Sequence, residues 1–136
     1  MIQLGPRTLR RSPINVMPAP DEPSWSEMAL WYDQLLEEGS GTHETATASL
    51  LRLATDVAGS SIIDIACGQG LATRALAAAG AKSVTGIDSS SAMIDLAKAR
   101  TDPLVAISYR IDDAQALEPC GDDEFDGAIC QLERAP

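Results

Sequence analysis

The sequence predicts a three-layer α/β fold on a mostly parallel sheet, and three observations predict it. From residue 61 onward, short apolar runs alternate with segments of helical periodicity, the rhythm of strands joined by crossover helices. The first run, Ile62-Ile63-Asp64-Ile65-Ala66, opens at once into Cys67-Gly68-Gln69-Gly70 and then into a helix-forming stretch. The second run, Val84-Thr85-Gly86-Ile87, ends on an acid, Asp88, 20 residues after Gly68. Strands this short and apolar are those of a parallel sheet covered on both faces.

The elements follow in order. Residues 1–24 contain Pro6, Pro13, Pro18, Pro20 and Pro23 and read as an extended or disordered arm. Ser24 or Ser26 caps a helix running to Glu38, with Met28, Trp31 and Leu35 on one side, and Gly39-Ser40-Gly41 breaks it. Thr42 caps a second helix, His43 to Ala58, whose Leu50, Leu51, Leu53, Ala54 and Val57 suit packing on a sheet. Then come a strand over 61–66, a helix over 71–79 closed by Gly80, a strand over 83–87, and a helix over 92–100 capped by Ser89, Ser90 or Ser91. A third strand spans 105–111, a single helical turn 114–117, and a fourth strand 125–130. The domain division is an arm over 1–24, N-terminal helices over 25–60, and a cofactor-binding α/β unit over 61–136.

Composition narrows the function classes. Of 136 residues, 45% are hydrophobic and 22% charged, as in an ordinary globular protein. The net charge is −10; residues 1–20 hold Arg7, Arg10 and Arg11 and no acid, so the rest carries −13. Such an acidic body repels phosphate backbones, which argues against nucleic acid as a partner. No apolar run reaches the ~20 residues of a membrane span. Three cysteines without a C-x-x-C pair, and a single histidine, argue against a disulfide framework or a metal site and for a cytoplasmic protein. Cys67 and Cys130 read as small buried apolar residues, His43 as a surface helix residue, and Tyr32 as core.

The chemistry concentrates around the glycine turn. Glycines leave no Cβ between the loop and a ligand, and an acid after the second strand of a Rossmann-like unit accepts hydrogen bonds from a ribose diol. A dinucleotide would seat its pyrophosphate on the helix N-terminus, with a third glycine where this chain has Thr73. An acid at the end of the first strand, Asp64, disfavours a pyrophosphate and favours an ammonium or a sulfonium.

These residues resemble a known family. Asp64-Ile65-Ala66-Cys67-Gly68-Gln69-Gly70 is similar to the first motif of class I S-adenosylmethionine-dependent methyltransferases, with Ala66 at the first glycine position. Gly86-Ile87-Asp88 with Met93, Asp112-Asp113-Ala114-Gln115-Ala116-Leu117, and Glu124-Phe125-Asp126-Gly127-Ala128-Ile129-Cys130 resemble the next three motifs in order. Trp31-Tyr32-Asp33 resembles the helical cap of small-molecule methyltransferases.

The resemblance implies S-adenosylmethionine as cofactor and a small-molecule methyl acceptor. It implies that Asp64 faces the methionine ammonium, that Ala66, Gly68 and Gly70 wall the methionine part, and that Asp88 binds the ribose diol. Met93 would pack on adenine, while Asp113, with the Ala114 amide, would meet the adenine edge; Asp112 beside it is the alternative. No catalytic base stands out. The family order 3-2-1-4-5-7-6 implies that this chain supplies strands one to four, in order 3-2-1-4. The expectation is therefore a C-terminally truncated enzyme, or a unit whose fourth-strand edge a protein partner covers, with weak cofactor binding and little turnover alone. The rival readings are a non-catalytic cofactor-binding module and an NAD-dependent oxidoreductase.

Overall fold

A computed structural model describes residues 24–117, 121 and 123–131. The arm expected over 1–24 lies outside it except for Ser24, as do Cys120 and Asp122. Helices α1 (Trp25–Glu37) and α2 (Gly41–Leu53) precede β1 (Ser61–Ile65), α3 (Leu71–Ala78), β2 (Ser83–Asp88), α4 (Ser91–Ala99), β3 (Ile107–Ile111) and β4 (Gly127–Ile129). The four strands form one parallel sheet in the order β3-β2-β1-β4, the expected Rossmann-like arrangement.

Local chemistry sets the element ends. Ser24 and Glu27 form a reciprocal capping box on α1. Helix α2 starts earlier than Thr42, because the Ser40 side chain accepts from the His43 N–H and brings Gly41 into the first turn. It also stops at Leu53 rather than Ala58, since Ala54 leaves the helical region at ψ 78°. Ser90 caps α4 through the Met93 N–H. Strand β4 is shorter than the expected 125–130, and among the described residues it pairs with β1 alone. Its start is pinned by Asp126, whose carboxylate and N–H bond the Ser61 N–H and C=O at 2.8 Å each.

Residues two apart on a strand share a face, and the registers place Ile62, Asp64, Val84, Gly86, Ile107 and Tyr109 on one face. Helix α3 packs there: Leu76 joins a core cluster with Val57, Ile62 and Val84, and Thr73 bonds Asp64. The Tyr109 hydroxyl meets Thr101 Oγ1 at 2.9 Å, just beyond α4, which puts the end of α4 on that face too. Two right-handed crossovers stepping the same way along the sheet give this result.

The N-terminal helices differ from expectation in which sides they bury. On α1 the buried residues are Ala29 and Asp33, while Trp31 is 51% exposed. The cause is an ion pair: Arg100, which ends α4, donates Nε and Nη2 to both oxygens of Asp33 at 2.6 Å and a third bond to Glu37. That fork turns the Asp33 side of α1 inward. Ser26 and Ser90 meet at 2.8 Å and hold the other end of α1 to the start of α4. On α2, Leu53 is 82% exposed, whereas Leu51 and Ala54 pack against the Val57 cluster. Cys67 is buried as expected, but Cys130 is exposed, because it follows β4 at the edge of the sheet.

Candidate functional site

The β1–α3 turn is built around three residues in the left-handed region: Ala66 at φ 58°, Gly68 at 55° and Gly70 at 84°. Only glycine enters that region freely, and an L-residue there costs roughly 1–2 kcal/mol. Ala66 therefore occupies a glycine-type conformation with a Cβ in place. The two glycines serve different ends. A Cβ on Gly68 would meet only the Tyr32 ring, at 4.0 Å, so this side of the loop opens toward the cap. A Cβ on Gly70 would collide with the Tyr109 hydroxyl and crowd Arg74 Nη1 at 3.1 Å. A Cβ on Gly86 would likewise press into the Tyr109 ring, at 2.8 Å from Cδ1. Gly70 and Gly86 thus make room for a tyrosine of the protein itself.

The turn is tied to the acid after β2. Asp88 Oδ2 accepts from the Gly68 N–H and Oδ1 from the Ser90 N–H, both at 2.9 Å. A carboxylate offers about four acceptor sites, so two remain for a vicinal diol. At the end of β3, Asp112 and Asp113 separate. Asp113 is exposed and Oδ1 accepts from the Gln115 N–H, as a turn-forming acid does. Asp112 N–H bonds the Asp88 carbonyl, and Asp112 Oδ2 is buried with no hydrogen-bond partner. Met93 is 2% exposed, packed as core one turn into α4.

Asp64 is the most buried acid of the site, at 1% exposure. Thr73 donates its hydroxyl to Oδ2 at 2.5 Å. Burial in the sheet raises its pKa to about 6, offset in part by the Thr73 bond and reinforced by the charge of Asp88. Burial, with the charges of Asp64 and Asp88, also pushes the Cys67 thiol well up, so it stays protonated and inert.

Asp64, Ala66 and Gly68 line one pocket with Tyr32, His43 and Gln131. The structure thus gathers part of the expected set around the turn and adds residues from both N-terminal helices and from beyond β4. His43 is a half-buried pocket residue: its Nε2 meets the Tyr32 hydroxyl at 2.9 Å and its Nδ1 the Ser40 hydroxyl at 2.5 Å. Tyr32 also packs edge-on against Trp25 and His43. The sequence signal for Tyr32 lay in the Trp31-Tyr32-Asp33 triplet; His43 and Gln131 gave none.

A parallel β3-β2-β1-β4 sheet, an acid near the end of β1 and a glycine turn bonded to the acid of β2 form a Rossmann-like unit of the kind class I S-adenosylmethionine-dependent methyltransferases carry. The comparisons agree. Residues 62–135, more than half of the chain, match the family described as "Methyltransferase domain", and the chain belongs to that family. It is similar to an S-adenosylmethionine-dependent methyltransferase from Mesorhizobium loti, with 32% identity and a TM-score of 0.58 over 71% of this chain and 41% of that one. It is also similar to the magnesium protoporphyrin IX methyltransferase of Synechocystis with bound S-adenosylhomocysteine, with 25% identity and a TM-score of 0.55 over 65% of this chain and 41% of that one. A curated relative, ribosomal protein L11 methyltransferase of Shewanella frigidimarina, is 36% identical over 87 residues, 59% of this chain and 30% of the relative. The chain thus spans under half the length of these three proteins. The NAD-dependent oxidoreductase reading gives way to the methyltransferase family. Its cofactor is S-adenosylmethionine, and the spare acceptor sites of Asp88, the open side of Gly68 and the orphaned Asp112 Oδ2 fit that group.

Proposed function

We propose that this protein takes part in methyl transfer from S-adenosylmethionine to a small molecule, holding the cofactor through the β1–α3 turn. The observation that carries the reading is the joint placement of Asp64 and Asp88 on either side of that turn: one buried beside the pocket, the other bonded to the Gly68 N–H with acceptor sites to spare. Asp88 takes the ribose diol. Asp64, ionised at neutral pH, pairs with the methionine ammonium. Ala66 and Gly68 form the wall along the methionine part and Gly70 sets the turn itself, while Met93 stays in the core. For the adenine amino group the buried, unpartnered Asp112 Oδ2 is the better acceptor, in place of the solvated Asp113, with the Ala114 amide nearby in sequence.

The bound cofactor supplies an activated methyl group on a sulfonium; in the reaction the acceptor–carbon bond forms as the sulfur–carbon bond breaks, leaving S-adenosylhomocysteine. The small-molecule assignment rests on the pocket's position beneath α1 and α2 and on the net charge of −10, which opposes nucleic acid. The relatives' names span both a protein and a porphyrin acceptor. The test is incubation of the chain with methyl-labelled S-adenosylmethionine and a cell extract, followed by separation by mass. Low-yield label in the low-molecular-mass fraction, above that of extract without the chain, is expected. Label in protein would replace the acceptor class, and cofactor binding without any transfer would leave a cofactor-binding module.

A further inference from the structure

The turn that carries Gly68 and Gly70 has a residue of the third strand behind it. The registers set Asp64, Gly86 and Tyr109 side by side across β1, β2 and β3, on the face that α3 covers. Because Gly86 has no Cβ, the Tyr109 ring lies across β2 in the space a Cβ would take, at 2.8 Å from Cδ1. That reach brings the hydroxyl of a β3 residue to the turn after β1, where it fills the Cβ position of Gly70.

The hydroxyl is itself anchored. Thr101 donates its one proton to the Ala97 carbonyl at 2.7 Å, so in the 2.9 Å contact between the two side chains Tyr109 donates to Thr101 Oγ1. Burial raises the Tyr109 pKa, against the Thr101 bond and the charge of Arg74, so the donor proton is kept at neutral pH. Arg74 Nη1 stands 3.1 Å from the same Cβ position of Gly70. It donates to the Gln69 carbonyl at 2.7 Å, while Nη2 donates to Gln69 Oε1 at 2.5 Å. Gln69 and Gly70 are thus held from behind, and Gly68 is held from the other side by Asp88.

The turn has no internal means of keeping this shape. Gly70, the N-cap of α3, offers the helix no side-chain bond and stands at φ 84°, a region that glycine enters and leaves freely. A wall against it removes that freedom before the ligand arrives, and a binding loop ordered in advance avoids the cost of ordering on association. Any swing of the turn also moves the Gly68 N–H, which fixes the aim of the Asp88 carboxylate.

We propose that Tyr109 is a positioning residue for the cofactor: tied through Thr101 to the end of α4, its hydroxyl holds the Gln69-Gly70 turn in its binding shape and so sets the aim of Asp88. The proposal rests on the cofactor reading above and adds to it two residues that act on the ligand only through the turn.

The experiment is isothermal titration of the full chain with S-adenosylhomocysteine, for the parent, Tyr109→Phe, Thr101→Val and the double variant, at a temperature where melting curves show each chain fully folded. There a merely structural defect leaves affinity unchanged, since it alters the folded fraction and not the folded site. Losing one neutral hydrogen bond corresponds to about fivefold in affinity. Tyr109→Phe, which keeps the ring over Gly86, and Thr101→Val should each weaken binding about fivefold. The double variant should be at most about twofold weaker than either, because both changes cut one link. Affinity within about twofold of the parent for either single variant, or losses that multiply to about 25-fold in the double variant, would overturn the positioning role and leave the cofactor reading intact. Should Tyr109→Phe not fold, Thr101→Val decides alone: a loss of about fivefold upholds the link and parent affinity overturns it. Failure of the parent to bind would overturn the cofactor reading and this role with it.

Discussion

Replacing Asp64 by Asn should make the ligand-free protein more stable at neutral pH. Asp64 is 1% exposed and its pKa is raised from 3.8 to about 6, first by burial. A carboxyl group with a raised folded pKa contributes stability that is fully present below the unfolded pKa and lost as pH rises through the folded one. The difference of about two pKa units corresponds to about 3 kcal/mol at 1.36 kcal/mol each. Asn carries no charge to desolvate and its carbonyl can still take the Thr73 hydroxyl. Urea unfolding of parent and variant across pH should show Asp64→Asn ahead by up to about 3 kcal/mol near pH 7, with the gap closing toward pH 4. Taking the difference cancels other acids, including Glu27 and Glu124, whose pKa values are lowered, Glu27 mainly by its backbone bond to Ser24 and Glu124 mainly by its side-chain bond to Arg110.

A buried charge that destabilises the ligand-free chain has a use if the ligand brings the opposite charge. Affinity for S-adenosylhomocysteine should therefore fall about tenfold between pH 7 and pH 5, as Asp64 takes up a proton, and this slope should be absent in Asp64→Asn. A variant no more stable than the parent at pH 7, or one with the parent's pH dependence of binding, would refute the reasoning.

Three further outcomes follow from the geometry. Ala66→Gly should raise stability by roughly 0.5–1 kcal/mol in thermal melts, since relief of the left-handed strain exceeds the extra chain entropy of glycine. Gly70→Ala should destabilise by roughly 2 kcal/mol or more, and Tyr109→Phe in the same chain should recover part of the loss by removing the hydroxyl that the new Cβ meets; no recovery would show that backbone strain alone accounts for it. Arg100→Ala should loosen α1 at a cost of roughly 1–3 kcal/mol, and because Trp25 and Trp31, the chain's two tryptophans, both lie on α1, their fluorescence should report an earlier transition than circular dichroism does.

The features that could be read from the sequence are those encoded within a few residues. The β1–turn–α3 unit and the acid of β2 depend on neighbours along the chain and stand where the motifs put them, and the cap of α4 falls on Ser90, one of the three serines the sequence offers. Phe125-Asp126 was legible as a motif, but its job, pinning β4 to Ser61, needs the sheet. The inward side of α1 was not legible, because the apolar spacing of Met28, Trp31 and Leu35 does not reveal the ion pair from Arg100, 67 residues from Asp33 in sequence. The pocket escaped for the same reason: Tyr32, His43, Asp64 and Gln131 come from four separate places and become a site only once folded. Asp112 and Asp113 are alike in sequence, and only the fold separates the half-buried Asp112, with its unpartnered Oδ2, from the exposed Asp113.

The central claim is that the turn between Asp64 and Asp88 holds S-adenosylmethionine, and titration of the chain with S-adenosylhomocysteine tests it most directly. One-to-one binding with a rise in melting temperature is expected. Asp88→Ala should lose at least about tenfold in affinity, because the diol loses its acceptor and the Gly68 and Ser90 amides lose theirs. No heat and no thermal shift for the parent, or equal affinity for Asp88→Ala, would contradict it.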